Sequence, residues 1–142
     1  MPLTSDRDIA AVLACTRSIA LLGASPKPGR PSNRVMRFLI DAGFEVYPVN
    51  PGLAGQTLHG RRVSSALADL PVEVDMVDVF RQPRFLPDIV QQAVELGIGT
   101  LWTQLGVVNT GAVTEAEEHG LKVVMDRCPA IEVPRLRRMG LL

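Results

Sequence analysis

Ser18-Ile-Ala-Leu-Leu-Gly23, followed by Ala24-Ser-Pro-Lys-Pro-Gly-Arg-Pro-Ser32, decides the reading of this chain. A short apolar run ending on glycine reads as a buried strand. The prolines that follow mark a stiff loop. Ser32 or Asn33 can then cap a helix running to about Ala42 and stopped by Gly43. Its apolar residues Val35, Met36, Leu39 and Ile40 share one face.

The same alternation recurs along the chain. Phe44–Val49, Val74–Phe80, Thr100–Thr103 and Leu121–Met125 read as four further strands. Pro48 belongs at a strand end or an unpaired position, because it has no amide to give a ladder. Helical patterns cover Ser5–Ala14, Pro83–Leu96 and Ala112–His119, and Ser65–Leu70 is a short helix at best. Near-continuous apolar strands alternating with helices predict an α/β, Rossmann-like, doubly wound parallel five-stranded sheet. The expected strand order is 3-2-1-4-5. Residues 1–142 are expected to form a single domain, with residues 1–17 as a leading helix packed on it.

Composition narrows the function classes. The chain has 142 residues, 46% hydrophobic and 21% charged, as a globular domain requires. Its 15 Lys plus Arg balance 15 Asp plus Glu. Broad nucleic-acid binding needs a basic excess, so none is expected. The cluster Arg135, Arg137 and Arg138 reads as a solvated helix face. No apolar run approaches the roughly 18 residues of a membrane span, and no signal pattern opens the chain. A cytoplasmic protein without membrane contact is the default expectation. Two cysteines make no disulfide framework, and no Cys/His/Asp cluster has metal-ligand spacing.

In a doubly wound sheet, ligands bind beyond the C-terminal strand ends. The loop after the first strand therefore occupies the phosphate position, facing a helix N-terminus. It matches neither G-x-G-x-x-G nor the P-loop. Three prolines remove amide donors, which Lys27 and Arg30 can replace with charge, and Ser25, Ser32 and Asn33 with side-chain donors. Asn50 stands where NAD binders usually carry a carboxylate. A nucleotide without a free ribose diol fits better, and coenzyme A is one. An NAD(H)-binding oxidoreductase or redox sensor in the same crevice remains the alternative.

Five runs in order, Ile19-Ala-Leu-Leu-Gly-Ala-Ser25, Tyr47-Pro-Val-Asn-Pro51, Val79-Phe-Arg81, Trp102-Thr-Gln-Leu-Gly106 and Asp126-Arg-Cys128, resemble the stand-alone CoA-binding domain proteins. These are similar to the N-terminal CoA-binding domain of the succinyl-CoA synthetase α subunit. The resemblance runs from about Ser18 to Cys128. It implies CoA or an acyl-CoA as the small-molecule partner, and names no protein partner. Gly23, Ala24 and Ser25, with Lys27 and Arg30, would hold the phosphates. Asn50 and Pro51 would border the adenosine, and Phe80 and Arg81 would line the crevice. Trp102, Gln104 and Gly106 would close it toward the pantetheine arm. The synthetase keeps its phosphorylated histidine in a second domain. His59 and His119 read as surface residues, so a non-catalytic binding or regulatory module is expected. Cys15 and Cys128 read as packing, with a reactive thiol at Cys128 as the sharper reading. Asp75 and Asp78 are an oddity within an apolar strand, with neighbouring loop amides as their candidate partners.

Overall fold

A computed structural model describes residues 1–142. The first strand, β1, spans Ser18–Leu22, and the Pro31–Asp41 helix, α2, follows it; the leading helix α1 spans Asp6–Cys15. Then come β2 (Glu45–Val49), a two-residue hairpin of β3 (Thr57–Leu58) and β4 (Arg61–Arg62), and β5 (Met76–Val79). The chain continues with α3 (Leu86–Glu95), β6 (Thr100–Thr103), α4 (Thr110–Glu118), β7 (Lys122–Val124) and α5 (Pro129–Arg138). The five parallel strands and the helices between them are the Rossmann-like architecture that the alternation predicts.

The strand order is β2-β1-β5-β6-β7, or 2-1-3-4-5 counting only parallel strands. This corrects the expected 3-2-1-4-5, and Pro48 supplies the reason. The Val49 carbonyl turns toward β1, accepting from Gly23 and Ala24. Its neighbour Pro48 therefore turns outward, and its missing N–H faces away from the sheet. The Pro48 carbonyl accepts from Ser64 N–H at 3.0 Å on that outer side. A further full strand there would meet a gap in the ladder, so β2 is an edge. The third parallel strand, β5, pairs with the opposite side of β1, Leu22 lying against Val79.

Helices cover both faces. α1, α2 and α5 bury Ile9, Leu13, Met36, Leu39 and Leu136 against Ile19, Leu21, Met76 and Trp102. α3 and α4 bury Ile89, Val90, Val113 and Ala116 against Ala20, Val77 and Leu101. The alternation of β5 decides this partition: Met76 and Asp78 face the first layer, Val77 and Val79 the second. Arg135 is not merely solvated. It donates to Asp6 at 2.8 Å and to Glu132 at 2.9 Å, tying α5 to α1. No helix is long and apolar enough to cross a membrane.

Local chemistry accounts for most element boundaries. Pro31 stands at the first position of α2, where its fixed φ suits a helix and its missing N–H costs nothing. The helix thus starts ahead of Ser32 and Asn33, which do not cap it. The stretch Ser65–Leu70 yields only a 3-10 turn at Leu67–Asp69. Asp75 accepts from the amides of Arg17 and Ser18 at 2.8 and 3.2 Å, joining the starts of β5 and β1.

Trp102 is fully buried, and its indole N–H donates to the Arg127 carbonyl at 2.7 Å. Trp102→Phe leaves that carbonyl without its donor and opens a small void where part of the indole packed. A loss of about 1–3 kcal/mol of stability is expected. Urea unfolding checks it, and an unchanged midpoint would show the bond to be dispensable.

Candidate functional site

The strand order fixes where a ligand can enter. After β1 the chain moves outward to β2, then returns to β5 on the other side, so the switch point lies between β1 and β5. Gly23 leaves β1 there with φ +95°, and a Cβ on it would lie 3.1 Å from the Phe80 carbonyl oxygen. Only glycine accepts both that backbone angle and that approach. The two strand ends consequently open into one cleft of about 450 Å³.

Its walls are Gly23, Ala24, Ser25, Lys27, Arg30, Pro31, Ser32, Asn50, Phe80 and Arg81. Nine of the fourteen residues expected at the site therefore converge, joined by Pro31. Arg30 occupies the cap position of α2 without a side-chain cap bond. The amides of Ser25 and Ser32 find no acceptor within the protein. Lys27, Arg30 and Arg81 enter no ion pair. A free amide at the N-terminus of α2 and another in the loop before it, flanked by unpaired cations, fit an anionic phosphate group. Arg81 also lies over the Phe85 ring, 4.2 Å from its centroid, which steadies the guanidinium.

Other residues on the expected list build the cleft without lining it. Asn33 donates to the Ser25 carbonyl at 2.9 Å, and its Oδ1 meets His59 Nε2 at 3.1 Å. This strut fixes the loop from inside α2, and gives His59 a structural partner. Asn50, which does line the cleft, donates to the Ala24 carbonyl at 2.7 Å and accepts from Gly52 N–H at 2.8 Å. Pro51 begins an exposed 3-10 turn beyond it. Trp102 does not reach the cleft, because it is consumed by the core. Gly106 does not reach it either. With φ +82° it makes a turn whose amide donates to Asp126 Oδ1 at 2.7 Å.

Gln104 lines a second compartment of about 470 Å³ that shares Pro31 and Phe80 with the first. Val35, Leu105, Val107 and Ile131 make it largely apolar. Leu105 and Ile131 are exposed at its rim. Cationic and apolar compartments thus meet across one aromatic ring.

Residues 17–134 match the CoA-binding domain family. The chain belongs to this family. It is 34% identical to the uncharacterized protein YneT of Bacillus subtilis over 124 residues, 87% of this chain and 90% of that one. The solved structure of cell-free ID.343 from Thermus thermophilus is 38% identical with a TM-score of 0.89, over 94% of this chain and 99% of that one. The α subunit of the ADP-forming acetate–CoA ligase I of Pyrococcus furiosus is 28% identical over 122 residues. That match spans 76% of this chain and 26% of the subunit.

Against this family background, two side chains beneath the apolar compartment stand out. Asp78 is wholly buried, and Gln104 Nε2 donates to its two oxygens at 2.9 and 3.2 Å. Burial raises its pKa to about 7, offset only in part by that hydrogen bond. The sequence signal was an aspartate inside the apolar run Val77-Asp-Val79. Cys128 is buried at the head of α5, and burial pushes its thiol above the usual range. Arg127 does not counter this, since its guanidinium is paired with Glu132 at 2.6 Å. Cys15, expected to pack, is exposed at the end of α1.

Two outcomes follow from these environments. Iodoacetamide should modify Cys15 well before Cys128, as peptide mapping by mass spectrometry would reveal; faster labelling of Cys128 would mean an accessible thiolate there. Asp78 binds its proton more tightly when folded than its ordinary value near 3.9 when unfolded. Its contribution is full below about pH 4 and is lost as pH rises through about 7, up to about 4 kcal/mol. Denaturant titrations from pH 4 to 8 should show Asp78→Asn gaining on the wild type across that window. Parallel curves would mean that Asp78 titrates normally.

Proposed function

We propose that the protein binds coenzyme A, or an acyl-CoA, as a non-catalytic binding or regulatory module. The observation that carries this reading is the pairing of a cationic cleft with an apolar compartment across Phe80. Coenzyme A has the same two-part chemistry: phosphates at one end, a long and weakly polar pantetheine arm at the other. The pyrophosphate lies over the Ser25 and Ser32 amides, with Lys27, Arg30 and Arg81 around it. The arm passes Phe80 toward Gln104, and the apolar walls leave room for a small acyl group. Membership of the CoA-binding domain family and the match to a CoA ligase subunit support the ligand.

The non-catalytic part rests on the ionisable groups of the cleft. They are Lys27, Arg30 and Arg81, cations that suit the holding of phosphate. His59 is tied to Asn33, and His119 to the Glu115 carbonyl at 2.9 Å. A small-molecule partner in the cytoplasm, without nucleic-acid or membrane contact, completes the proposal.

Calorimetry tests it directly. CoA is expected to bind more tightly than NAD; equal or tighter NAD binding would reassign the cleft. Lys27→Ala and Arg30→Ala should each weaken CoA by about 1–3 kcal/mol, the range of a charge-assisted bond. Salt should shrink that loss, because exposed charges are screened. Normal binding by both variants at low salt would remove the phosphates from this loop.

A further inference from the structure

Asp78 takes no part in the phosphate cleft, yet it is wholly buried with no ion-pair partner. A carboxylate without a cation is disfavoured in an apolar core. Gln104 is its sole hydrogen-bonding partner. The Gln104 backbone is pinned on both sides, its N–H to the Val79 carbonyl and its carbonyl to Val107 N–H. What remains free is the orientation of its amide group. With Nε2 turned down to Asp78, Oε1 accepts no hydrogen bond from the protein, and no buried side-chain oxygen is left unpartnered. Oε1 is therefore not fully enclosed, and the compartment that Gln104 lines is the apolar one. No other residue lining that compartment carries a side-chain carbonyl.

We propose that Asp78 is a positioning residue, holding the Gln104 carboxamide so that Oε1 faces the compartment as acceptor for an N–H or S–H of the pantetheine arm. This rests on the reading that coenzyme A occupies the cleft. The mechanism is a choice between two amide orientations. Ionised Asp78 can only accept, so it draws Nε2 down and turns Oε1 to the ligand. Protonated Asp78 can donate to Oε1 instead, which turns Nε2 into the compartment and withdraws the acceptor. The carboxyl titrates close to neutrality, so both orientations fall within an accessible pH range.

The surroundings leave this exchange to the pair. β1 and β6 place Leu21 and Trp102 beside Asp78. From α5, Cys128 faces it with a thiol that titrates higher, and Glu132 is held by Arg127 and Arg135. From α2, Arg34 reaches the compartment but donates to the Gly29 carbonyl at 2.8 Å.

Two measurements test the proposal. In the ligand-free protein, the Gln104 side-chain amide should shift with pH in NMR spectra, sharing the midpoint of the Asp78 carboxyl carbon. Asp78→Asn should abolish that shift. Calorimetry between pH 6 and 8 should then show CoA affinity of the wild type rising about fivefold relative to Asp78→Asn, within the tenfold of one pKa unit. The ligand's own phosphate titrates with either protein and cancels in the ratio. Adenosine 3′,5′-bisphosphate lacks the arm, so its ratio should stay flat. Gln104→Ala should weaken CoA about five- to tenfold, one hydrogen bond, and leave the bisphosphate unchanged. A Gln104 amide that ignores Asp78, a flat CoA ratio, or equal effects on CoA and the bisphosphate would overturn the proposal. No CoA binding by the wild type would overturn the functional reading and this proposal together. Binding with a flat ratio would overturn the proposal alone.

Discussion

Pro48 has no amide hydrogen to give, and the arrangement of the whole sheet answers to that gap. Residue alternation turns Val49 toward β1 and Pro48 away from it. A strand beyond β2 would leave one carbonyl facing a ring carbon, so the sheet ends there and Ser64 covers the edge. The returning chain must then pair with the free side of β1. That places the end of β5 beside the end of β1, and Phe80 beside Gly23. With β5 on the far side of β2, those two ends would be separated by a strand. The cleft is thus a consequence of an edge, and the edge is a consequence of one residue type.

The loop over the cleft follows a related logic. Prolines 26, 28 and 31 surrender amide donors at the place where an anion is expected, which looks self-defeating. Pro31 nevertheless fixes the start of α2 one residue ahead of Ser32. The first available amide of the helix therefore points out of the N-terminus uncapped. A serine or aspartate at the cap position would have consumed it. Asn33 and Asn50 brace the loop from either side through the carbonyls of Ser25 and Ala24. The backbone is held open before a ligand arrives, so less ordering entropy has to be recovered on binding.

Much of this was legible in the sequence, where local chemistry dominates. Apolar runs located all five parallel strands to within two residues at either end, because buried parallel strands have little choice of composition. Residues of the cleft near strand ends were legible for the same reason, since chain position and site position coincide in this fold. The hairpin of β3 and β4 leaves no pattern in the sequence, being only two residues on each side. Pairing order depended on which way Pro48 faced, which needs the register with β1. Trp102 stands near the end of β6 and Gly106 just past it, as Gln104 does, but a strand end does not say which side chain turns inward. Cys15 ends an amphipathic helix whose buried face runs Ile9, Val12, Leu13 and on to Thr16, and it lies off that face.

Asp78 marks the limit of pattern reading most clearly. The stretch Val77-Asp-Val79 announces a buried charge, and the sequence offers no reason to tolerate one. Neutralising it with arginine would have been the ordinary solution, and Arg34 and Arg81 both lie near the adjoining compartments. Each is engaged elsewhere, by the Gly29 carbonyl and the Phe85 ring. A guanidinium on Asp78 would fix the carboxyl as a permanent anion and leave no role for a neutral partner. Burial instead raises the carboxyl pKa to about 7, the glutamine offsets only part of that, and the carboxyl proton is coupled to the direction of one amide. The stability sacrificed in that arrangement is large for a small domain. A core that accepts such a loss beneath a ligand compartment is shaped by more than packing.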